Sequence, residues 1–222
     1  MNTGFNSPMS LALSKSDFQD PAMHLLLETY AALNADDKGS ALSGPHPSDP
    51  PRREEGMSLS KTPSPSLKVS RKINQHSQDR QKRLGAVERS CTLLNEIVAL
   101  PEPLMEHALN AVMHSGWKHI IKGVESLKLD IKSAAEVELF RIMPTCSVPR
   151  HSHEGSEFTL VISGGFTDET GSFGPGELIW KGPEDVHHPV ADPGEACYAL
   201  AVSEGDIRLT GYLGIIQKIF KF

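Results

Sequence analysis

The chain has 222 residues, 38% of them hydrophobic and 23% charged, with a formal net charge of −6. This is the composition of an ordinary soluble protein with room for one large domain or two small ones. The longest apolar runs, 139–143 and 196–202, are far too short to cross a bilayer, and the chain does not open on a basic region followed by an apolar stretch. The expectation is a cytoplasmic protein without a membrane partner. Cys91, Cys146 and Cys197 lie far apart with no Cys-x-x-Cys among them, which excludes a disulfide framework and a cysteine-rich zinc finger.

The charge is uneven. Residues 1–50 carry two Lys against six acids, 51–90 ten Lys or Arg against four, and 91–222 ten against eighteen, giving balances of −4, +6 and −8. A basic middle between acidic ends reads as a solvated linker or as a surface for an acidic partner. Residues 1–16 form a loose leader. In 17–34, Asp20 is placed to cap a helix with Pro21 in its first turn, and Leu25, Leu26, Leu27, Tyr30, Ala31 and Leu33 supply an apolar stripe. From 38 to 65, prolines at high density forbid a helix or central strand and predict a disordered linker. From 67 to 100 the pattern turns helical. Ile73, Leu84, Val87, Leu93, Leu94, Ile97 and Val98 lie on the apolar side, with Arg80, Lys82, Arg83 and Arg89 on the polar one. The two helical stretches 20–34 and 70–100 are expected to pair. The predicted division is a leader and first helix over 1–37, a linker over 38–66, a helical arm over 67–100 and a β domain over 101–222.

One more short helix is predicted over 104–115. Strands then follow at 117–124, 127–131, 137–143, 158–162, 165–168, 178–180, 187–190, 196–202 and 207–211, separated by Gly, Pro, Asp or Ser. Many short strands with sharp turns mean a barrel or a sandwich. An apolar segment, 213–222, ends the chain.

Within the strands, residues 149–189 concentrate the chemistry. On an extended chain residues of equal parity share a face, so His151, His153 and Glu157 point the same way provided the turn at Gly155 keeps the register. His187 follows thirty residues after Glu157, past Gly174-Pro175-Gly176, and suits a later antiparallel strand beside the first pair. Neutral imidazoles and an ionised carboxylate held in fixed directions are what a divalent transition metal needs. His188 has the opposite parity and is expected to stay outside the site. Glu154 and Glu177 are the nearby acid or base candidates and read as solvated turn residues.

His-x-His, a Glu a few residues on, Pro175-Gly176 and a later His resemble the two motifs of the cupin superfamily. The resemblance implies a mainly β fold, a C-terminal cupin β-barrel (double-stranded β-helix) behind a small helical N-terminal segment. The wording from His151 to Thr170, then Phe173-Gly-Pro-Gly-Glu-Leu178, then His187-His-Pro-Val-Ala191, is similar to the cupin half of the ChrR-type anti-sigma factors over about residues 102–215. That likeness implies zinc, with iron or manganese as alternatives, on His151, His153, Glu157 and His187. It also implies an extracytoplasmic-function sigma factor as partner, and so a role in transcription regulation and stress response. Leu25 to Ala32 resembles the family's opening helix. The family's anti-sigma zinc motif, a His followed by His-x-x-x-Cys-x-x-Cys, is absent: near Ser77 and Arg80 the chain has no cysteine. His24, His46, His76 and Cys91 remain as candidates for a second zinc site, at spacings that match no known site.

Two functions are therefore open. One is a regulator in which a metal-binding barrel is joined to a helical segment that holds a sigma factor. The other is a metal-dependent cupin enzyme, such as a small-molecule dioxygenase. The regulator is favoured on resemblance, with no residue assigned a catalytic role. The basic stretch 52–89 has no interleaved aromatic residues, which argues against direct nucleic-acid binding. Gly-rich phosphate loops and nucleophile elbows are absent.

Overall fold

A computed structural model of the chain describes residues 19–35 and 67–209. The expected leader, linker and C-terminal apolar segment lie outside those residues. The described elements are helices α1 (Pro21–Ala35), α2 (Leu67–Val98) and α3 (Glu102–His114), followed by eleven strands. These are β1 (Lys118–Ile121), β2 (Val124–Lys128), β3 (Glu136–Ile142), β4 (His151–His153), β5 (Glu157–Ser163), β6 (Phe166–Asp168), β7 (Gly171–Phe173), β8 (Leu178–Lys181), β9 (Val190–Ala191), β10 (Cys197–Ser203) and β11 (Ile207–Leu209). The fold is mainly β with a helical N-terminal part. Two compact units can be separated, one joining α1 to everything from Ile97 onward and the other ending at Glu96. Among the described residues no helix is long and apolar enough to cross a membrane.

Every strand pairing is antiparallel, in a six-stranded sheet ordered β1-β2-β3-β10-β5-β8, a pair β11-β4 and a three-stranded sheet β7-β6-β9. Isolated bridges between Ser147 and Val190 and between His151 and His187 tie the smaller sheets' strands to neighbouring loops. Side-chain alternation divides the core in two. On β5 and β10, Phe158, Leu160, Ile162, Tyr198, Leu200 and Val202 belong to one cluster together with the helices, while Val161, Cys197 and Ala199 belong to a second with Val124, Ile142, Phe166 and Ile179.

α1 begins as its sequence demands. The Asp20 carboxylate accepts the Ala22 N–H at 2.8 Å and the Met23 N–H at 3.4 Å, filling two of the donors a helix start leaves open. The Ser133 hydroxyl donates to the same carboxylate at 2.9 Å, tying this helix end to the loop after β2. Ala22, Met23, Leu25 and Leu26 are buried in one cluster with Leu104, Ala108 and Ala111 of α3 and with Leu127, Leu139, Leu160 and Leu200 of the sheet. At the far end, Asn34 Nδ2 donates to the Gly176 carbonyl at 3.2 Å. Of the 70–100 stretch expected to pair with α1, Ile97 and Leu100 share this cluster, and α1 otherwise buries its stripe on α3 and the outer face of the sheet. Apolar periodicity shows that a helix face must be covered but not by what.

The strands follow the sequence pattern with local corrections. The stretch 117–124, expected as one strand, turns at Gly123, whose φ of +78° a side chain rarely adopts and where an added Cβ would strike the Cys146 sulfur. Two strands, β1 and β2, result. β7, a short Gly-Ser-Phe, carries no β-rich signature and was not expected.

Replacing the fully buried Leu26 by Ala should cost about 2–5 kcal/mol and lower the unfolding midpoint of the barrel itself, followed by the fluorescence of Trp117 and Trp180. An unchanged midpoint would show that α1 is not part of the barrel's cooperative unit.

Candidate metal centre

The strand β4 places His151 and His153 on its inner side, both buried, with the half-buried Ser152 between them. Between β4 and β5 the chain turns through Gly155, where an added Cβ would lie 2.5 Å from the Glu204 carbonyl oxygen; only glycine permits this approach. The turn keeps Glu157 on the same side as the two histidines. His187 arrives from the loop before β9, and its backbone exchanges two hydrogen bonds with His151, at 2.9 and 3.0 Å. The antiparallel return expected from the sequence is therefore present as a single bridge.

The four side chains converge. Donor atoms of His151, His153, Glu157 and His187 all lie within 4.8 Å of one another. His153 Nε2 is 3.2 Å from His187 Nε2 and 3.3 Å from Glu157 Oε2, which is 3.7 Å from His187 Nε2. His151 Nδ1 lies 2.7 Å from the Pro149 carbonyl, an atom that only accepts, so Nδ1 carries the proton and Nε2 keeps its lone pair. His188 is outside the group; its backbone N–H donates to Glu169 at 2.9 Å.

The electrostatics favour the state a metal requires. Burial disfavours the charged imidazole of His151, and burial together with the neighbouring His151 pushes His187 down to about 4. Burial alone would raise Glu157, but the hydrogen bond from His153 and the three imidazoles outweigh it and hold the carboxyl below its ordinary value. Neutral imidazoles and an ionised carboxylate, packed together away from water, fit a divalent cation. For a four-coordinate ion these residues complete the shell and leave no position open.

Residues that spacing alone did not indicate support this group. The Asp168 side chain, with no exposed surface, forms an ion pair with Lys181 at 2.8 Å and accepts the Thr170 N–H and hydroxyl at 2.6 Å each. Its Oδ2 lies 3.7 Å from His187 Nδ1. That separation is too long for a hydrogen bond; a carboxylate that closed on the far nitrogen would orient the imidazole and leave Nε2 free for a metal. Asp168 ends the strand expected over 165–168, and only the third dimension shows its side chain buried against Lys181. Glu138 was also missed. It lines, with Phe140, Val148, Thr159 and Ala201, a mainly apolar cavity of about 440 Å³ that reaches His151, Glu157 and His187. Burial raises the Glu138 carboxyl, partly opposed by the Ser126 hydroxyl. The two acids singled out earlier are turn residues: Glu154 pairs with Arg208 at 2.9 Å, and Glu177 accepts the Gly174 N–H at 2.6 Å. Of the candidates for a second zinc site, His24 stands beside Glu28 on the exposed side of α1, His46 lies outside the described residues, and no second metal-binding group occurs among the described residues.

Antiparallel strands that aim His-x-His, a following Glu and a later His into one barrel define a cupin with a potential metal site. Residues 105–206 match the model of the ChrR Cupin-like domain family. The Anti-sigma-E factor ChrR of Cereibacter sphaeroides is 33% identical over 122 residues, which cover 54% of this chain and 57% of that protein. The chain thus spans little more than half the length of that relative. Among solved structures, Rhodobacter sphaeroides SigE in complex with the anti-sigma ChrR aligns over 58% of this chain and 81% of the other, at 29% identity and a TM-score of 0.43. An RmlC-like cupin from Ralstonia eutropha aligns over 47% and 79%, at 12% identity and a TM-score of 0.39.

Two outcomes follow. Alanine at His151, His153, Glu157 or His187 should remove most of the metal measured per chain, Asp168→Asn should weaken binding about 10–100-fold, and His188→Ala should leave it intact. Full metal content in both His151→Ala and His153→Ala would exclude this site. In the metal-free protein, the unfolded chain protonates His187 near its ordinary value of 6.5 and the folded chain only near 4. Stability is therefore full above pH 6.5 and lost as pH falls toward 4. Denaturant titrations at pH 7.5 and 5 should show the drop; equal midpoints would contradict a buried neutral His187.

Proposed function

We propose that the protein is a cytoplasmic regulator of transcription of the ChrR anti-sigma type, with zinc in the barrel and an extracytoplasmic-function sigma factor as partner. In this reading the helices within residues 1–100 contact the partner, and residues 101–222 form the metal domain that sets how tightly the partner is held. The observation that carries it is the number of protein donors. Three imidazoles and a carboxylate give zinc a closed four-coordinate shell, which suits a structural or sensory ion better than one that must admit substrate. The 33% identity to an anti-sigma-E factor supports the same reading.

Coupling between the two parts has a physical route. The buried face of α1 lies on the barrel, so a partner that takes hold of α1 or displaces it also changes what the barrel packs against. Metal loss or oxidation shifts partner affinity to the extent that the bound and free states contact the barrel differently. A second reading, a metal-dependent enzyme such as a dioxygenase using iron or manganese, draws on the apolar cavity beside the cluster and the Glu138 carboxyl within it. A metal that accepts six ligands would keep positions open there.

The whole metal-loaded chain, immobilised and offered purified sigma factors of its source one at a time, should retain one of them and inhibit transcription that depends on it. Retention of none, together with oxygen uptake on a small organic substrate, would replace the regulator by the enzyme.

A further inference from the structure

α2 shows an apolar stripe that the described residues leave uncovered. Leu84, Val87, Leu94 and Val98 are 53%, 59%, 47% and 60% exposed, and Cys91 is exposed as well. Their spacing is three, four, three and four residues, the a and d positions of a two-stranded coiled coil over two heptads. Single exposed apolar residues need no explanation, but five in one heptad register form a continuous seam. Arg80, the d position one heptad before Val87, closes the stripe on its N-terminal side.

The residues flanking the seam select the occupant. Counting from Leu84 at a, Arg83 falls at g and Glu88 at the following e. A parallel seam sets each g opposite the e five residues later on its partner, so Arg83 of one copy meets Glu88 of the other, twice by symmetry. Both side chains are exposed and neither has an ion-pair partner among the described residues. The remaining flanking positions, Gln81, Ser90, Asn95 and Ile97, carry no charge and oppose nothing. An antiparallel seam would set g against g and e against e, separating the two charges. In the parallel register Cys91 faces Cys91. The stripe, its charges and its cysteine are all self-complementary.

We propose that α2 pairs with the α2 of a second copy of this chain as a short parallel coiled coil along Leu84, Val87, Cys91, Leu94 and Val98. Two heptads give a weak seam, so association depends on concentration and the charge pairs set orientation more than strength.

The test uses the whole metal-loaded protein with no partner added. Under reducing conditions, sedimentation velocity across rising concentration should show reversible dimers. Arg83→Glu should weaken association about threefold to tenfold, and Arg83→Glu with Glu88→Arg should restore it. Diamide, which takes up the two hydrogens as two thiols join, should link the dimer through a Cys91–Cys91 peptide identified by mass spectrometry. Cys91→Ser should abolish the link while leaving reversible association. Val87→Asp with Leu94→Asp should give monomers; if that protein fails to fold, the exposed charge exchange decides alone. A chain that stays monomeric at every concentration, a dimer indifferent to Arg83→Glu, or a linked peptide joining Cys91 to Cys146 overturns the proposal. A stripe that instead serves a sigma factor gives the first of these results.

Discussion

The barrel's interior depends on how it accommodates one buried carboxylate. Glu157 is 6% exposed, and an isolated charge there would cost several kcal/mol. The imidazoles around it, of which burial pushes His151 and His187 toward neutrality, lower that cost only in part, because an uncharged ring offers a hydrogen bond and not a full counter-charge. A divalent cation would supply the missing charge and satisfy all four donors at once. The strand pairing that brings His187 to His151, the glycine turn that returns Glu157 to the inner face and the fixed Asp168–Lys181 pair behind His187 all serve that convergence.

Around this centre the antiparallel strands carry two different faces. Residues of one parity on β5 and β10 line the cavity and the cluster, while those of the other parity receive α1 and α3. The helices thus complete the barrel's outer packing. Changes at the cluster can reach α1 through the same strands, since Glu157 and Phe158 are neighbours on β5 with opposite orientations. α2 has no comparable covering for its stripe among the described residues, and its self-complementary seam gives it a distinct role in assembly.

The site was legible because period-two alternation fixes which residues share a face: it put His151, His153 and Glu157 together and separated His187 from His188. Asp20 and Pro21 likewise announced the start of α1 by chemistry local to the chain. What could not be read were relations between distant segments. Nothing in the stripe of Leu25 and Leu26 names α3 and the sheet as its cover, and nothing near Asp168 announces Lys181 and His187 as neighbours. Glu138 alternates with Val137 and Leu139 like any surface acid on a half-buried strand, and its position in the cavity follows only once the barrel curves around it. Short elements such as β7 are held by their partners and not by their own propensity.

The central claim is that His151, His153, Glu157 and His187 hold one ion. X-ray absorption at the metal edge of the purified whole protein, with metal quantified per chain, addresses it most directly. The account predicts one ion per chain in a shell of three imidazole nitrogens and carboxylate oxygen. A shell containing cysteine sulfur, or an ion whose shell is unchanged when His187 is replaced, would contradict it.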